Sequence, residues 1–134
     1  MTLLVPNNGE GDGLKAFLNH TAATDPILRL YKSNTTPAET DTTATYTEAD
    51  FAGYAAITLT GSSWSVSEGA PSSASYAEQT FTRSSTGSAQ DVYGYFVTRT
   101  TSGRIAWAER FTGAPFTVTN NGDGIKVTPA ITLD

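Results

Sequence analysis

Apolar residues recur at every second position along most of the chain, the period at which a strand sends successive side chains to opposite faces. In "GIKVTPAITL" Ile125, Val127, Pro129, Ile131 and Leu133 fall on one side, and Lys126, Thr128, Ala130 and Thr132 on the other. Pro129 has no N–H to donate, so the strand is predicted to lie at an edge, or to break or bulge there. The richest stretch is "VYGYFVTRTTSGRIAWAERF", residues 92–111. Its first arm is apolar on both faces, Tyr93, Tyr95 and Val97 opposite Val92, Gly94 and Phe96, which predicts a central strand covered on two sides. Its second arm sets Ile105, Trp107, Glu109 and Phe111 against Arg104, Ala106, Ala108 and Arg110. "TTSG" between the arms suits a hairpin connection.

Further strands are predicted at "PILRLYK" (26–32), "GYAAITLT" (53–60), "WSVSE" (64–68), "SYAEQTFTR" (75–83) and "FTVT" (116–119). Gly, Pro and Ser punctuate them in "TGSS", "EGAPSS", "SSTGSAQ", "TGAP" and "NNGDG". This spacing points to an all-β fold, an antiparallel β-sandwich or barrel-like body. "SNTTPAETDTTATYTE" lacks periodicity and reads as a long surface loop.

A helical period occurs in two places. "DGLKAFLNH" puts Leu14, Phe17 and Leu18 at i, i+3, i+4, with Asp12 placed to cap the first turn. "TEADF" gives Thr47 and Asp50 the capping-box spacing for about one turn, closed by Gly53. The chain is therefore read as one domain over 1–134, with an N-terminal arm and short helix at 1–20 and a β-sandwich at 26–134.

Composition narrows the functional classes. Charged residues make up only 16%, while Ser and Thr fill about a quarter of the chain, a surface suited to strands and turns. Eight basic against 13 acidic residues leave a formal charge of −5, the opposite of a phosphate-neutralising surface, so no nucleic-acid partner is expected. With no Cys there is no disulfide, thiolate nucleophile or cysteine-based zinc site. "MTLLVPNNGEGDG" lacks the basic flank and longer apolar run of a secretory signal, and no segment has the 18 or so apolar residues of a membrane span. A cytosolic origin is the corresponding expectation.

Candidate chemistry is sparse. His20 is the single histidine; it ends the predicted helix, where an imidazole meets the last carbonyls, and no G-x-S-x-G elbow accompanies it. "NNGDGIKV" offers Asp123 alone as an acidic ligand, too few for a calcium loop, and reads as a hairpin turn. "NNGEGDGLK" lacks the Gly-Lys-Ser/Thr ending of a phosphate loop, and its Glu10 and Asp12 would repel phosphate. Glu78, Asp91 and Glu109 could in principle supply a glycosidase acid pair. Cross-strand ion pairs with Arg83, Arg99, Arg104 and Arg110 are the simpler expectation. Of the aromatics, Phe96 and Trp107 are expected in the core, while Tyr54, Trp64, Tyr93 and Tyr95 could also stack on sugar rings if exposed.

The order "LLVPNNGEGDGLKAFL", "LRLYKSNTTP", "YTEADFAGYAAITL", "VYGYFVT", "IAWAERF" and "NNGDGIKVTPAITL" is similar to small virion structural proteins of tailed bacteriophages. In particular it resembles the cement, or decoration, proteins of cyanophage-like capsids. That resemblance implies no enzyme activity, no metal and no cofactor. It implies a β-rich body bound to the major capsid protein on the outside of the head, at a symmetry axis or capsomer junction, as a small homo-oligomer assembled in the host cytoplasm. Leu3, Leu4, Val5, Leu14, Phe17 and Leu18 are then candidates for a docking element, because a helix this short needs something to pack on. The other possibility is that they cap the domain's own core. The alternative from another class is a phage tail or fibre carbohydrate-binding module using Trp64 or Tyr95.

Overall fold

The protein is described from a computed structural model, which covers residues 14–16, 18, 25–100 and 102–133. It is mostly β, and every strand pair among the described residues is antiparallel. One sheet has four strands in the order β2-β1-β7-β8, formed by β1 (Ile27–Tyr31), β2 (Ile57–Thr58), β7 (Gly94–Thr98) and β8 (Ile105–Arg110). Three smaller ladders complete the body. They are β11 (Ala130–Leu133) with β4 (Ser72–Ser75) and β3 (Ser65–Ser67), β10 (Gly124–Val127) with β5 (Gln79–Thr82), and β6 (Gln90–Val92) with β9 (Phe116–Val118).

Alternation within β1 and β7 explains the layers. Leu28, Leu30, Tyr95 and Val97 face the main core, where they meet Phe81, Ile125 and Val127 from β5 and β10, Ala74 from β4, and Val92 and Val118 from β6 and β9. Tyr31 and Phe96 face the other way and stack with Tyr46 from the long loop, at ring distances of 4.8 Å and 5.2 Å. All five residues of β7 are buried, as expected of a central strand apolar on both sides. The result is sandwich-like: a four-stranded sheet packed over the smaller ladders, with its outer face covered by a loop.

The N-terminal helical signal is present as one turn. Leu14, Lys15 and Ala16 are helical, and the Leu18 N–H donates to the Leu14 carbonyl at 2.9 Å. Both leucines are fully buried in the main core.

Several predicted elements differ in instructive ways. "TEADF" is not helical: Ala49 N–H donates to the Leu30 carbonyl and Lys32 N–H to the Thr47 carbonyl, so the segment runs extended beside β1. Burial of Tyr46, Ala49 and Phe51 outweighs the capping signal of Thr47 and Asp50. Gly53 instead closes a turn at φ +86°. "GYAAITLT" contributes only Ile57–Thr58.

"SYAEQTFTR" splits into β4 and β5, and its partner strand splits at Thr128 and Pro129 into β10 and β11. The two breaks lie together, since Tyr76 N–H donates to the Pro129 carbonyl at 2.9 Å. Three residues, 76–78, oppose two, 128–129, so a bulge turns one long antiparallel pair from one ladder into the next. Pro129 sits where a missing N–H does no harm. "NNGDG" is a turn but not a hairpin, because β9 and β10 pair with different partners.

Candidate functional site

The three acidic candidates for catalysis are each bound to a different partner. Glu78 meets Lys126 at 3.1 Å, Asp91 accepts from the Thr117 hydroxyl at 2.5 Å, and Glu109 accepts from the Tyr95 hydroxyl at 2.7 Å. Two of the arginines expected to pair with them, Arg83 and Arg110, are engaged elsewhere. Arg83 is buried and donates to the carbonyls of Ser85 and Val118. Arg110 donates to the Thr35 carbonyl and Asn34 Oδ1 and lies over the Tyr93 ring. Asp123 uses one carboxylate oxygen to accept the N–H groups of Thr119 and Asn120, both at 2.7 Å. Among the described residues no group of three or more His, Asp or Glu could hold a metal ion. His20, Glu10 and Asp12 lie outside the described residues.

Tyrosine–carboxylate pairs are the recurring polar device. Tyr54 donates to Glu48 Oε1 at 2.7 Å while accepting the Leu30 N–H, and Glu48 also takes both oxygens to the Arg29 guanidinium at 2.8 and 3.0 Å. Tyr46 donates to Asp41 Oδ2 at 2.7 Å, and the same oxygen accepts the Ala38 N–H. This ties the Thr-rich loop to its own aromatic cluster. A half-buried phenol needs a partner for its O–H, and a chain with few charges supplies one from a strand or loop neighbour.

Burial first, and the adjacent carboxylate second, push the hydroxyls of Tyr46, Tyr54 and Tyr95 well above the ordinary tyrosine value of 10.0. Burial also raises Tyr31. A raised folded-state value for an acid that is neutral when protonated means the native state favours the protonated form. The stability this contributes is fully present below pH 10 and is lost as pH rises through the folded-state values. These four phenols are expected to ionise only together with unfolding. Phenolate absorbance and far-ultraviolet dichroism followed in one alkaline titration check this: the absorbance of four of the six tyrosines should appear over the pH interval in which the dichroism is lost.

The aromatics expected in the core divide unevenly. Phe96 is buried, whereas Trp107 is half-buried, its ring 5.9 Å from that of Trp64. Trp64 and Tyr95, the candidates for sugar stacking, are each only 3% exposed and belong to the interior. Among the described residues Phe116 is the large apolar side chain that does face solvent, at 45%, beside a hollow of about 220 Å³ shared with Phe111, Ile125 and Lys126.

Of the six candidate docking residues, Leu14 and Leu18 are in the core of their own chain. Leu3, Leu4, Val5 and Phe17 lie outside the described residues. Sequence reasoning missed the side of β8 that no strand covers among the described residues. This strand ends the four-stranded sheet, and a groove of about 420 Å³ runs beside it, lined by Pro37, Ala38, Glu39, Asp41 and Tyr46 of the loop and by Ile105–Ala108. A second hollow of about 440 Å³ continues it past Asp41–Thr43 to Ser102–Ile105.

The architecture and these surfaces define a β-rich, sandwich-like body whose paired polar groups serve the scaffold. No protein-family model, curated protein or solved structure matches the chain.

Proposed function

We propose that this protein is a non-enzymatic virion structural protein, a cement or decoration protein that binds the major capsid protein on the outside of a phage head and stabilises capsomer junctions. The observation that carries the reading is the double covering of the central sheet: the main core packs on one face, and the Tyr31–Tyr46–Phe96 cluster, held by the loop, packs on the other. Such a body resists deformation, as a clamp between capsomers must. The tyrosine–carboxylate pairs and the carbonyl-bound arginines support it further, because they direct polar chemistry inward. The block order of the sequence, which resembles phage decoration proteins, supplies the partner.

A protein that binds the assembled shell and not its separated parts shifts the assembly equilibrium in proportion to occupancy and affinity. Contact with two capsomers at once adds an effective-concentration gain with no new chemistry. The test is co-sedimentation of the purified protein with expanded heads that lack it. Saturable pelleting at a fixed number of copies per capsomer is expected. Recovery of all the protein in the supernatant at every ratio would reject the reading.

A further inference from the structure

We propose that Asn121–Gly122 is a covalent modification site, where the Asn121 carboxamide is lost as ammonia to leave aspartate or β-linked aspartate, and that the fold holds this site shut by clasping the Gly122 amide. The proposal stands whether or not the protein seats on a phage head.

The dipeptide supplies the chemistry. The Gly122 backbone nitrogen gives up its proton and attacks Asn121 Cγ. A C–N bond forms, the Cγ–Nδ2 bond breaks, and Nδ2 departs with a proton as ammonia, leaving a cyclic imide. Water then opens either carbonyl of the ring, giving aspartate or a backbone routed through the side-chain carbon. Glycine shields this nitrogen least of all residues, and even a Cβ built at Gly122 would meet nothing within 4 Å. Asn121 is exposed, so water reaches the site. The same dipeptide at Asn8–Gly9 lies outside the described residues.

The turn supplies the restraint. Asp123 N–H donates to the Asn120 carbonyl at 3.1 Å, and Gly122 takes φ +91°, which closes a tight turn around the reacting pair. Gly122 N–H donates to the Arg83 carbonyl at 2.9 Å, and Arg83 N–H donates back to the Asp123 carbonyl at 2.8 Å. Asn121 N–H donates to Thr86 Oγ1 at 3.0 Å, while Asp123 Oδ2 accepts the N–H groups of Thr119 and Asn120. Arg83 is itself buried, its guanidinium held by the Ser85 and Val118 carbonyls, so it anchors the clasp to the body of the domain. The bond to Arg83 keeps the proton on the Gly122 nitrogen and keeps that nitrogen turned from Cγ. Reaction therefore waits for the turn to open locally. In the β-linked product the added backbone carbon moves Gly122 out of register with Arg83, so the clasp does not re-form and the change marks chains whose turn has opened.

Incubation of the full chain at mildly alkaline pH, native and unfolded in guanidinium chloride, tests this. Conversion is followed by mass on the tryptic peptide 111–126, and fragmentation separates Asn121 from Asn120. Isomerisation of Asp123 leaves that mass unchanged, and the peptide 1–15 reports Asn8 separately. Asn121 is expected to convert more slowly in the native chain by about tenfold or more. Thr86→Ala removes one support of the turn from an exposed position outside the peptide, so it leaves the unfolded rate unchanged. Native conversion in that variant should rise about fivefold, as the loss of one hydrogen bond implies, and Gly122 amide exchange should rise with it. Equal rates in native and unfolded chains, native conversion at Asn120 ahead of Asn121, or a Thr86→Ala chain that converts no faster than wild type would each overturn the proposal.

Discussion

Gly94→Ala should destabilise the fold by about 3 kcal/mol, at the upper end of the range for overpacked cores. A methyl group at this position would overlap the Glu109 carbonyl and stand 2.5 Å from the Tyr31 hydroxyl and 2.7 Å from Tyr31 Cε1. The reason is architectural. Tyr31 lies across Gly94 so that its hydroxyl reaches the carbonyls of Thr35, at 3.3 Å, and Glu109, at 3.4 Å. One ring thereby links β1, β8 and the long loop over the bare backbone of β7. The glycine is needed for space and not for an unusual φ. The melting temperature should fall by roughly 10 °C for a domain of this size. Tyr31→Phe in the same chain removes one of the three close contacts and should recover only a small part of the loss, because the Glu109 carbonyl and the ring's Cε1 still block the methyl. Thermal melts of the two single variants and the pair check both statements.

The second large effect concerns the N-terminal turn. Leu14→Ala and Leu18→Ala should each cost about 3 kcal/mol, the middle of the range for emptying a buried leucine site. Leu18→Asp should prevent stable folding, since a carboxylate would sit without a partner where nothing is exposed. Both leucines pack with Leu28, Leu30 and the other main-core residues. If the turn instead served mainly to dock on a neighbour, these substitutions would leave the monomer's stability unchanged and reduce only its attachment. Urea unfolding at fixed protein concentration separates the two, because a core residue shifts the midpoint at nearly constant slope.

The elements legible in the sequence are those whose pattern is strong and local. The first arm of the 92–111 hairpin is apolar on both sides and is the buried strand β7. Pro129 marks the break between β10 and β11. Legibility fails where a single residue resets the pattern. A bulge between Val97 and Thr98 pairs them with Trp107 and Ile105, so Ala106 is skipped. Ile105 therefore joins Ala108 beside Phe96, while Trp107 and Phe111 stay with the main core, contrary to simple alternation. Tyr93 likewise sides with Phe96 rather than Tyr95.

Longer-range placement is harder still. Tyr46 is one aromatic in a polar, Thr-rich stretch, and that contrast was the sole hint that the loop folds onto the sheet. Which strand ends a sheet depends on the order of pairing, and strand order leaves no mark on local periodicity. The β8 edge and its groove were illegible for that reason. The interior placement of Trp64 and Tyr95 has the same cause, as each becomes buried only when distant ladders close over it.

Under the proposed function this molecule clasps neighbours in an assembled shell. Thermal disruption of expanded heads, measured with increasing amounts of added protein, bears on it most directly. The disruption temperature should climb with concentration and level off when every site is occupied. Heads that carry a full complement of the protein yet come apart at the temperature of bare heads would contradict the account.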